Sequence, residues 1–362
     1  MPAAPNIPPA PPAHHQAQAG RIGVAVLNLG TPDGTDYWSM RRYLKEFLSD
    51  PRVIEVPKVV WWFILNFIIL TFRPRKSGHA YASIWDKTHN ASPLRVITKE
   101  QTEQLQARLG DEVVVEYGMR YGQPSIAQVM DSLKARGCDR ILVAPLYPQY
   151  SAATTATAVD KVNDWMARQR WQPTLRVMPP YYGHPAYIRA LAESVRVHVA
   201  ELAWKPDVII ASLHGLPKVN CDKGDVYYCH SHKTVRLMAE ALGGAFVKSV
   251  EELGAVVSKG RKAAPVLLAF QSRFGAQEWL KPYFSVALDE LAAKGIKNVL
   301  VVCPGFSADC VETLEEIAIA GKEQFIEAGG VNFGVVPCLN ASEVGMDMLE
   351  GLVEVELAGW RY

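Results

Sequence analysis

The chain has 362 residues, of which 49% are hydrophobic and 21% are charged, and its formal net charge is +1. This length allows two domains with full apolar cores, and the composition excludes global disorder. A net charge so close to zero provides no field to gather a nucleic acid, which excludes nucleic-acid binding as the main role. The six cysteines are too sparse for a secreted disulfide framework, which favours a reducing cytoplasm.

The first twenty residues are mostly proline, alanine, histidine and glutamine. They lack the basic start and the apolar stretch of a secretory signal, so we expect residues 1–20 to form a disordered tail. Order is expected to begin at Arg21. The apolar run 22–28 is typical of a parallel strand that is buried on both faces, and a turn is expected at Leu29-Gly30-Thr31-Pro32.

An apolar segment, residues 59–72 (VVWWFILNFIILTF), interrupts the pattern of a soluble chain. It is too short to span a bilayer, which needs about 20 apolar residues. One interpretation is a buried helix. The other is an exposed apolar lip, in which Trp61, Trp62 and Ile64 meet a membrane surface while the basic residues that follow meet anionic headgroups.

Strands and helices alternate along the rest of the chain. Further strands are predicted at 113–117, 140–145, 175–178, 207–212, 266–270, 298–304 and 331–337. Helices are predicted at 126–135, 186–201, 233–242, 284–293 and 342–359. This alternation is typical of a doubly wound parallel α/β architecture with right-handed crossovers.

A loose internal duplication divides this pattern into two halves. Arg120-Tyr121-Gly122 precedes one helix and strand, which lead into Tyr147-Pro148-Gln149-Tyr150-Ser151. Arg273-Phe274-Gly275 precedes a second helix and strand, which lead into the acidic segment 305–312. Two such halves would face each other across a cleft at the carboxyl ends of their strands, where α/β sheets bind ligands. The first half brings aromatic rings and hydroxyls to that cleft, and the second brings carboxylates.

His214 follows the predicted strand 207–212 and therefore also belongs to the cleft. A histidine that faces carboxylates across an aromatic-walled cleft suggests proton or metal chemistry on a flat, apolar substrate. Glu312 and Glu316 lie one helical turn apart, so their carboxylates share a face. Two structural alternatives stay open: His214 as an ordinary loop or core histidine, and the segment from Asp309 to Glu312 as a helix cap with its reciprocal acid.

Several motifs occur in a fixed order along the chain. They are Leu27-Asn28-Leu29-Gly30-Thr31-Pro32, Ser92-Pro93-Leu94, Gly118-Met119-Arg120-Tyr121, Tyr147-Pro148-Gln149-Tyr150-Ser151, Leu213-His214-Gly215-Leu216-Pro217, Lys223-Gly224-Asp225, Gln271-Ser272-Arg273, Trp279-Leu280, and Asp309 with Glu312-Thr313-Leu314. In this order and spacing the chain resembles the ferrochelatases, which insert ferrous iron into a porphyrin at the end of haem synthesis. The resemblance covers about residues 23–340. It implies two Rossmann-like, chelatase-type halves, each a parallel sheet flanked by helices, with a cleft between them and no nucleotide.

The resemblance also implies roles for particular side chains. It places His214 at the centre of the macrocycle as a base or a metal ligand. Glu312 and Glu316, whose carboxylates share a face, are further candidate catalytic residues that could pass protons or hydrated iron, and Glu312 is also a candidate metal ligand. The implied porphyrin pocket consists of Leu29, Arg120, Tyr121, Tyr147 and Trp279, with Arg120 meeting a propionate. The lip coincides with the pocket mouth of relatives. Cys310 stands where the family commonly has a second histidine.

The expected partners are a porphyrin and ferrous iron, which is a substrate, so no resident cofactor is firmly required. Animal ferrochelatases hold a [2Fe-2S] cluster on one internal and three C-terminal cysteines, and this arrangement is absent here. A cluster through Cys221 and Cys229, close to His230 and His232, stays an alternative, although four thiolates are the usual requirement. We expect a cytoplasmic protein with peripheral membrane contact, and contact with the preceding oxidase of the haem pathway.

The predicted domains are 21–195, which includes the lip, and 196–345, followed by a C-terminal helix at 346–362 that packs back on the first domain. A dehydrogenase or NTPase is disfavoured because no glycine-rich phosphate motif stands at a strand–helix junction. The remaining rivals are a coproporphyrin or cobalt chelatase and a non-catalytic carrier of tetrapyrrole or metal.

Overall fold

The computed structural model describes residues 20–257, 263–275 and 277–361. Almost all of the predicted tail, residues 1–19, lies outside the described residues, as does the final residue of the chain.

Two parallel sheets form the framework of the described residues. The first contains β1 (Arg21–Gly30), β2 (Val113–Tyr121), β3 (Cys138–Pro145) and β4 (Thr174–Val177). The second contains β5 (Val208–His214), β6 (Phe246–Val247), β7 (Val266–Gln271), β8 (Asn298–Val302) and β9 (Asn332–Val335). The strand orders are β2-β1-β3-β4 and β6-β7-β5-β8-β9, and every adjacent pair is parallel. The predicted fold class is confirmed.

Helices flank both sheets. The α-helices are α1 (Tyr37–Leu48), α2 (Lys58–Phe63), α3 (Leu70–Ile84), α4 (Pro93–Leu109), α5 (Ile126–Ala135), α6 (Thr157–Met166), α7 (Pro185–Glu201), α8 (Lys218–Asp222), α9 (Tyr227–Leu242), α10 (Val250–Val257), α11 (Phe284–Ala293), α12 (Lys322–Glu327) and α13 (Glu343–Leu357). Three π-helical segments, Ile64–Ile69, Ala152–Ala156 and Glu312–Gly321, join α2 to α3, precede α6 and precede α12. None of these wider turns is apparent from hydrophobic spacing.

The strand β1 is central in its sheet because both of its faces are apolar. Val24 and Val26 pack into one core cluster, and Ala25 and Leu27 pack into another on the opposite face. Side chains alternate across a strand, so a continuous apolar run fills both faces at once. The run thereby fixes β1 between β2 and β3.

The internal duplication is visible in the helices α5 and α11. Each buries apolar residues at the spacing i, i+3, i+4 and i+7: Ile126, Val129, Met130 and Leu133 in α5, and Phe284, Ala287, Leu288 and Leu291 in α11. Each is followed by a glycine with φ of 83°, Gly137 or Gly295, in the left-handed conformation that ends helices without a Cβ clash. The same sequence rule therefore builds the same unit twice.

The two sheets share one core. The largest buried cluster contains Val24 and Leu142 of the first sheet, Ile209 and Leu268 of the second, and Met346 of α13. The chain passes from one sheet to the other through α7, within which the predicted boundary at residues 195–196 lies. The division into domains stays a prediction.

The loops that follow β3 and β8 touch each other. The Ser307 hydroxyl donates to the Leu146 carbonyl at 2.9 Å, and the Gln149 amide donates to the Pro304 carbonyl at 3.1 Å. These bonds bring the carboxyl ends of the two sheets together, where the candidate site lies.

Helix α13 packs against α4 through a group of ion pairs. Arg108 of α4 lies 3.1 Å from Glu343, 2.6 Å from Asp347 and 2.9 Å from Glu350. The C-terminal helix is therefore tied to an element of the first half.

Candidate active site

His214 is the last residue of β5, so the strand places its side chain at the carboxyl edge of the second sheet. The ring is half-buried, and its Nδ1 lies 2.6 Å from the carbonyl oxygen of Gly215. Because a carbonyl oxygen only accepts, Nδ1 carries the hydrogen and Nε2 is the basic nitrogen of the neutral ring. His214 therefore presents a proton acceptor at this edge.

Glu312 and Glu316 lie on the π-helical segment Glu312–Gly321. A π-helix bonds residue i to residue i+5 and has more than four residues per turn, so side chains four apart stay on one face. Burial raises the pKa of Glu316, the charge of Glu312 adds to this, and hydrogen bonds from Ser272 and the charge of His214 oppose it. The charges of both His214 and Glu312 therefore act on Glu316 at this edge of the sheet, although the three side chains do not form a ready-made metal site within the described residues.

Two residues at the end of β7 hold the acidic segment, and the sequence reasoning gave neither a role in the site. Gln271 accepts a hydrogen bond from the Ser212 hydroxyl at 2.7 Å and donates one to the Glu312 carbonyl at 3.0 Å. Ser272 donates its backbone N–H to Glu316 at 2.7 Å and its hydroxyl to the other carboxylate oxygen. Ser272 has a φ of 64°, an uncommon conformation for a residue with a side chain. Two signals were available in the sequence: their position at the end of a predicted strand and their place in the motif Gln271-Ser272-Arg273.

Asp309 does not form the helix cap that the sequence allowed. Its carboxylate accepts from the Thr313 hydroxyl at 2.8 Å and from the Asn340 side chain at 2.6 Å. The residue before the π-helical segment is Val311, which makes no side-chain cap. The capping-box interpretation of Asp309 and Glu312 is therefore wrong, and the Glu312 carboxylate is not used as a cap.

Buried hydroxyl and thiol groups surround Glu312. Burial raises the pKa of Tyr43, Tyr81 and Cys310, and the negative charge of Glu312 contributes to the increase in each. Tyr43 comes from α1 and Tyr81 from α3, two helices that sequence reasoning did not connect to the acids. Only the fold shows this environment, because the three residues are far apart in sequence.

Trp279 closes one wall of the site beside His214. Its backbone pairs with Pro217, and its side chain is 4% exposed. A Cβ on Gly215 would lie 3.0 Å from the indole ring and 2.8 Å from the Gln271 carbonyl oxygen, so the close approach requires glycine. The indole Nε1 has no hydrogen-bond partner among the described residues.

Tyr147 and Leu29 lie at the ends of β3 and β1 in the first sheet. Tyr147 is buried, and its hydroxyl, like the Trp279 indole N–H, has no partner within the described part of the chain. Leu29 is half-buried and packs against the Tyr147 cluster. A buried polar atom without a partner costs about 1–3 kcal/mol, so a polar group or water that meets these atoms would be stabilising.

Arg120 and Tyr121 are placed differently from the prediction. Arg120 is buried, pairs with the buried Asp50 and donates to the Thr157 hydroxyl at 2.6 Å. The Tyr121 hydroxyl donates to the same Asp50 carboxylate at 2.8 Å. Burial opposes ionisation of Asp50, but hydrogen bonds from Thr157, Arg52 and Tyr121 and the charge of Arg120 hold its pKa below the usual value.

The interpretation of Arg120 as a propionate partner does not fit this network. Its guanidinium is already neutralised by a buried carboxylate, and removing it from that partner would leave a buried charge uncompensated. Tyr121 is fully buried, so its ring has no exposed face to offer a macrocycle.

The apolar lip is exposed, but only in part as predicted. The exposed fraction is 53% for Trp62, 63% for Phe67 and 71% for Phe72. Trp61 instead turns inward and donates its indole N–H to the Leu48 carbonyl at 2.6 Å, and Ile64 is half-buried. Trp62 is therefore exposed, as the lip interpretation expects, whereas Trp61 and Ile64 are only partly exposed, since the one-residue step along the helix turns Trp61 towards α1. Contact of the lip with a membrane stays a prediction.

The exposed lip residues form one aromatic cluster. The rings of Trp62, Phe63 and Phe67 have centroids 5.0–6.2 Å apart. Among the described residues, no helix has the length and apolar content to cross a membrane.

The family model of the ferrochelatases matches residues 21–357. The chain belongs to the ferrochelatase family. Ferrochelatase of Agrobacterium fabrum (strain C58) is 50% identical over 352 residues, which cover 97% of each chain. Ferrochelatase of Mesorhizobium japonicum is 50% identical over 349 residues, which cover 96% of this chain and 94% of the relative.

Solved structures support the fold of this ferrochelatase-family chain. The structure of SirB from Bacillus subtilis with Fe3+ aligns with a TM-score of 0.52 at 10% identity, over 93% of this chain and 96% of SirB. At such low identity the similarity concerns the fold alone.

The residues considered for an iron–sulfur cluster do not fit that cofactor. Cys221 is half-buried and Cys229 is exposed, while the four remaining cysteines are buried: Cys138, Cys303, Cys310 and Cys338. His230 already accepts the Tyr150 N–H on Nδ1 at 3.2 Å. No group of three or more histidine, cysteine or acidic side chains in the described ranges is placed to hold a metal ion. Two thiols are too few for the usual four-thiolate site.

Proposed function

We propose that this protein inserts ferrous iron into protoporphyrin IX and releases protohaem and two protons, as the terminal step of haem biosynthesis. The observation that carries the proposal is the convergence of His214, Glu312 and Glu316 at one strand edge, beside Trp279, in a chain of the ferrochelatase family. An enzyme that performs this reaction is a lyase of the metal-chelatase type.

The proposed proton acceptor is the Nε2 atom of His214. A free-base porphyrin carries two pyrrole N–H groups, and both protons must leave as the metal enters. With Nδ1–H held by the Gly215 carbonyl, the ring has a fixed orientation and tautomer, so its other nitrogen, Nε2, has a free lone pair that can accept a proton. The same nitrogen is the one through which His214 would ligate iron.

We propose that Glu316 receives protons and that Glu312 meets the metal. The raised pKa of Glu316 brings its titration closer to neutrality, which suits a group that accepts and then releases a proton. The porphyrin nitrogens supply four ligands themselves, so one or two protein ligands suffice and no preformed protein cage is needed.

Trp279, Tyr147 and Leu29 are the proposed contacts for the macrocycle. Large aromatic faces bind a flat apolar ring. The Trp279 indole N–H and the Tyr147 hydroxyl have no hydrogen-bond partner among the described residues, so a polar group of a bound ligand could bond to them. Arg120 and Tyr121 support this pocket through Asp50. The propionates must therefore find other partners.

The exposed aromatic lip supports peripheral contact with a membrane from the cytoplasm. Trp62, Phe63 and Phe67 form an apolar surface that the described residues leave more than half exposed, and basic residues follow it. A membrane surface also stores protoporphyrin, which is more apolar than coproporphyrin, and this favours protoporphyrin as substrate. Contact with the oxidase that supplies this substrate stays a prediction.

The deciding experiment is an anaerobic assay with ferrous iron and either protoporphyrin or coproporphyrin, followed through the loss of the free-base absorption bands. We expect turnover of protoporphyrin, and Glu312→Gln should lower kcat by orders of magnitude without unfolding the protein. Turnover of coproporphyrin alone, or of cobalt alone, would show that the proposed porphyrin or the proposed metal is not the substrate. Binding of porphyrin without turnover of any metal would indicate a carrier.

A further inference from the structure

The loop after β3 is joined to the second half of the molecule by an unusual set of bonds. We define the strand-end loop as residues 147–152, which begins with Tyr147 and ends at the first residue of the π-helical segment Ala152–Ala156. Its backbone and side chains bond to α9 and to the turn before α9, and the proposed function has given these bonds no role. The turn follows α8, which itself follows the His214 loop.

A single carboxylate, that of Asp225, makes the central contacts. One oxygen accepts the Ser151 hydroxyl at 3.0 Å and the Ala152 N–H at 2.8 Å. The other oxygen accepts the Tyr227 N–H at 2.9 Å. Asp225 therefore bonds the first turn of a helix in each half at once.

Neighbouring hydrogen bonds fix the position of the strand-end loop along α9. The Tyr150 N–H donates to Nδ1 of His230 at 3.2 Å, and the Gln149 side chain donates to the Thr234 hydroxyl at 3.1 Å. His230 and Thr234 lie on α9. Consecutive residues of the loop thus bond consecutive turns of α9, so the loop cannot slide along the helix without breaking several bonds together.

Ser151 and Gln149 are buried and Asp225 is half-buried, which strengthens these bonds relative to exposed ones. A hydrogen bond to an ionised group is about twice as strong as a neutral one. Breaking it at a buried position leaves the Ala152 N–H and the Ser151 hydroxyl without an acceptor.

We propose that Asp225 is a positioning residue that fixes Tyr147 at a set distance from His214 and so sets the width of the macrocycle cleft. The inference rests on the proposed function for its kinetic consequence, which places Tyr147, after β3 of the first sheet, and His214, at the end of β5 of the second, on the two walls of that cleft. Asp225 touches neither substrate. It acts through the strand-end loop, and its loss should affect binding of the porphyrin more than the chemical step.

The test compares Asp225→Ala with Asp36→Ala in the full chain. Asp36 is a matched control because its carboxylate also caps a helix, accepting the N–H groups of Trp38 and Ser39, but it bonds only within the first half. We expect Asp225→Ala to raise KM for protoporphyrin about ten-fold with kcat within about two-fold of the wild type. Asp36→Ala should leave both constants unchanged. Equal effects of the two variants, or a loss confined to kcat, would overturn the proposal.

Hydrogen exchange gives a second readout that needs no turnover. The amides of Tyr150 and Ala152 should exchange faster in Asp225→Ala and at the wild-type rate in Asp36→Ala, and the dissociation constant for free-base protoporphyrin should rise with them. Unchanged exchange in Asp225→Ala would contradict the positioning role. If wild-type protein binds porphyrin but inserts no metal, the proposed function fails while these two measurements still decide the role of Asp225.

Ser151→Ala tests the same contact from the other side. This variant removes one of the two bonds to the shared oxygen of Asp225, so we expect a KM increase in the same direction but smaller. Combined with Asp225→Ala, it should add little to KM, because both changes break one unit and the second loses only the further bond that the Ser151 hydroxyl accepts from the Ala153 N–H at 3.2 Å. Fully additive effects would show that the two residues act separately and would overturn the proposed positioning role.

Discussion

The Gly215 carbonyl fixes which nitrogen of His214 is basic, and this has a direct consequence for function. A histidine held in one tautomer needs no rearrangement before it accepts a proton. The ring contributes little to the core, since it is half-buried at a strand end. Its function and its contribution to stability are therefore separable.

We expect His214→Ala to abolish metal insertion while leaving porphyrin binding and the melting temperature close to those of the wild type. Turnover falls because the proton acceptor beside the macrocycle is lost. The measurements are the anaerobic assay, porphyrin fluorescence and thermal unfolding. His89→Ala, at an exposed histidine that pairs only with Asp86, serves as control. Near-normal turnover in His214→Ala would refute the assignment.

The raised pKa of Glu316 makes a prediction about stability and pH. The pKa of Glu316 in the folded state lies above its ordinary value. At a pH between these two pKa values, the folded protein keeps a proton that the unfolded chain has released; this range is the pH window of the effect. Stability therefore falls as pH rises through the window, and the ionised group is destabilising above it. Glu316→Gln should melt a few degrees above the wild type at pH 7, with the difference vanishing near about pH 4.

Thermal unfolding at both pH values checks this expectation. A variant that is less stable than the wild type at pH 7 would mean that the two bonds from Ser272 outweigh the cost of burial. We expect the same variant to retain part of its activity, because the amide still occupies the place of the carboxylate.

At the scale of helices, the lip shows how burial and exposure alternate within one short segment. Leu65 and Leu70 are buried beneath it, while Trp62 and Phe67 project outward. One side of the segment therefore belongs to the core, and the other side forms an exposed apolar surface.

Replacing Trp62, Phe63 and Phe67 by serine should weaken binding to anionic vesicles at least ten-fold and leave the melting temperature unchanged. Moving one large apolar side chain out of water is worth about 1.5–3 kcal/mol, so partial insertion of three is measurable. Vesicle flotation and thermal unfolding check the two parts. Val331→Ser and Val355→Ser, at exposed positions outside the lip, should leave vesicle binding unchanged.

Trp61→Ser is the matched variant for the inward-facing side. Losing the packing of this tryptophan against α1 and its bond to Leu48 should cost about 2 kcal/mol or more of stability. If the serine triple variant unfolds and Trp61→Ser does not, then Trp62, Phe63 and Phe67 belong to the core and Trp61 to the surface, contrary to the proposal.

The regular helices could be predicted from sequence because their signals are local. The apolar spacing in α5, with Ser125 and Gln128 capping each other, and the same spacing in α11, give the bounds of both helices directly. Trp61 and Trp62 could not be separated in this way, since the choice depends on contacts with α1. Arg120 could not be recognised as buried, because its partner Asp50 stands 70 positions away. The π-helical geometry beneath Glu312 likewise depends on Ser272 and Gln271, which arrive from another strand.

For the whole molecule, the shared core predicts a single cooperative unfolding transition. Residues of both sheets and α13 pack in one cluster, so neither half keeps its core when the other unfolds. Leu142→Ala in β3 and Leu268→Ala in β7 should each lower the free energy of unfolding by about 2–5 kcal/mol and shift the whole transition. Tryptophan fluorescence and circular dichroism should give coincident curves. Two separate transitions would show that the halves are independent domains.

The distribution of the cysteines provides a chemical measure of this unfolding. Burial raises the pKa of Cys138 to about 11 and keeps the pKa of Cys303, Cys310 and Cys338 well above the ordinary value, so these thiols neither ionise nor meet solvent. Only the thiolate is alkylated at an appreciable rate. The native molecule thus offers Cys229, and Cys221 in part, to an alkylating reagent, whereas the unfolded chain offers all six. Counting modified thiols by mass spectrometry would therefore report the population of open molecules in a mixture, without an engineered label or a substrate.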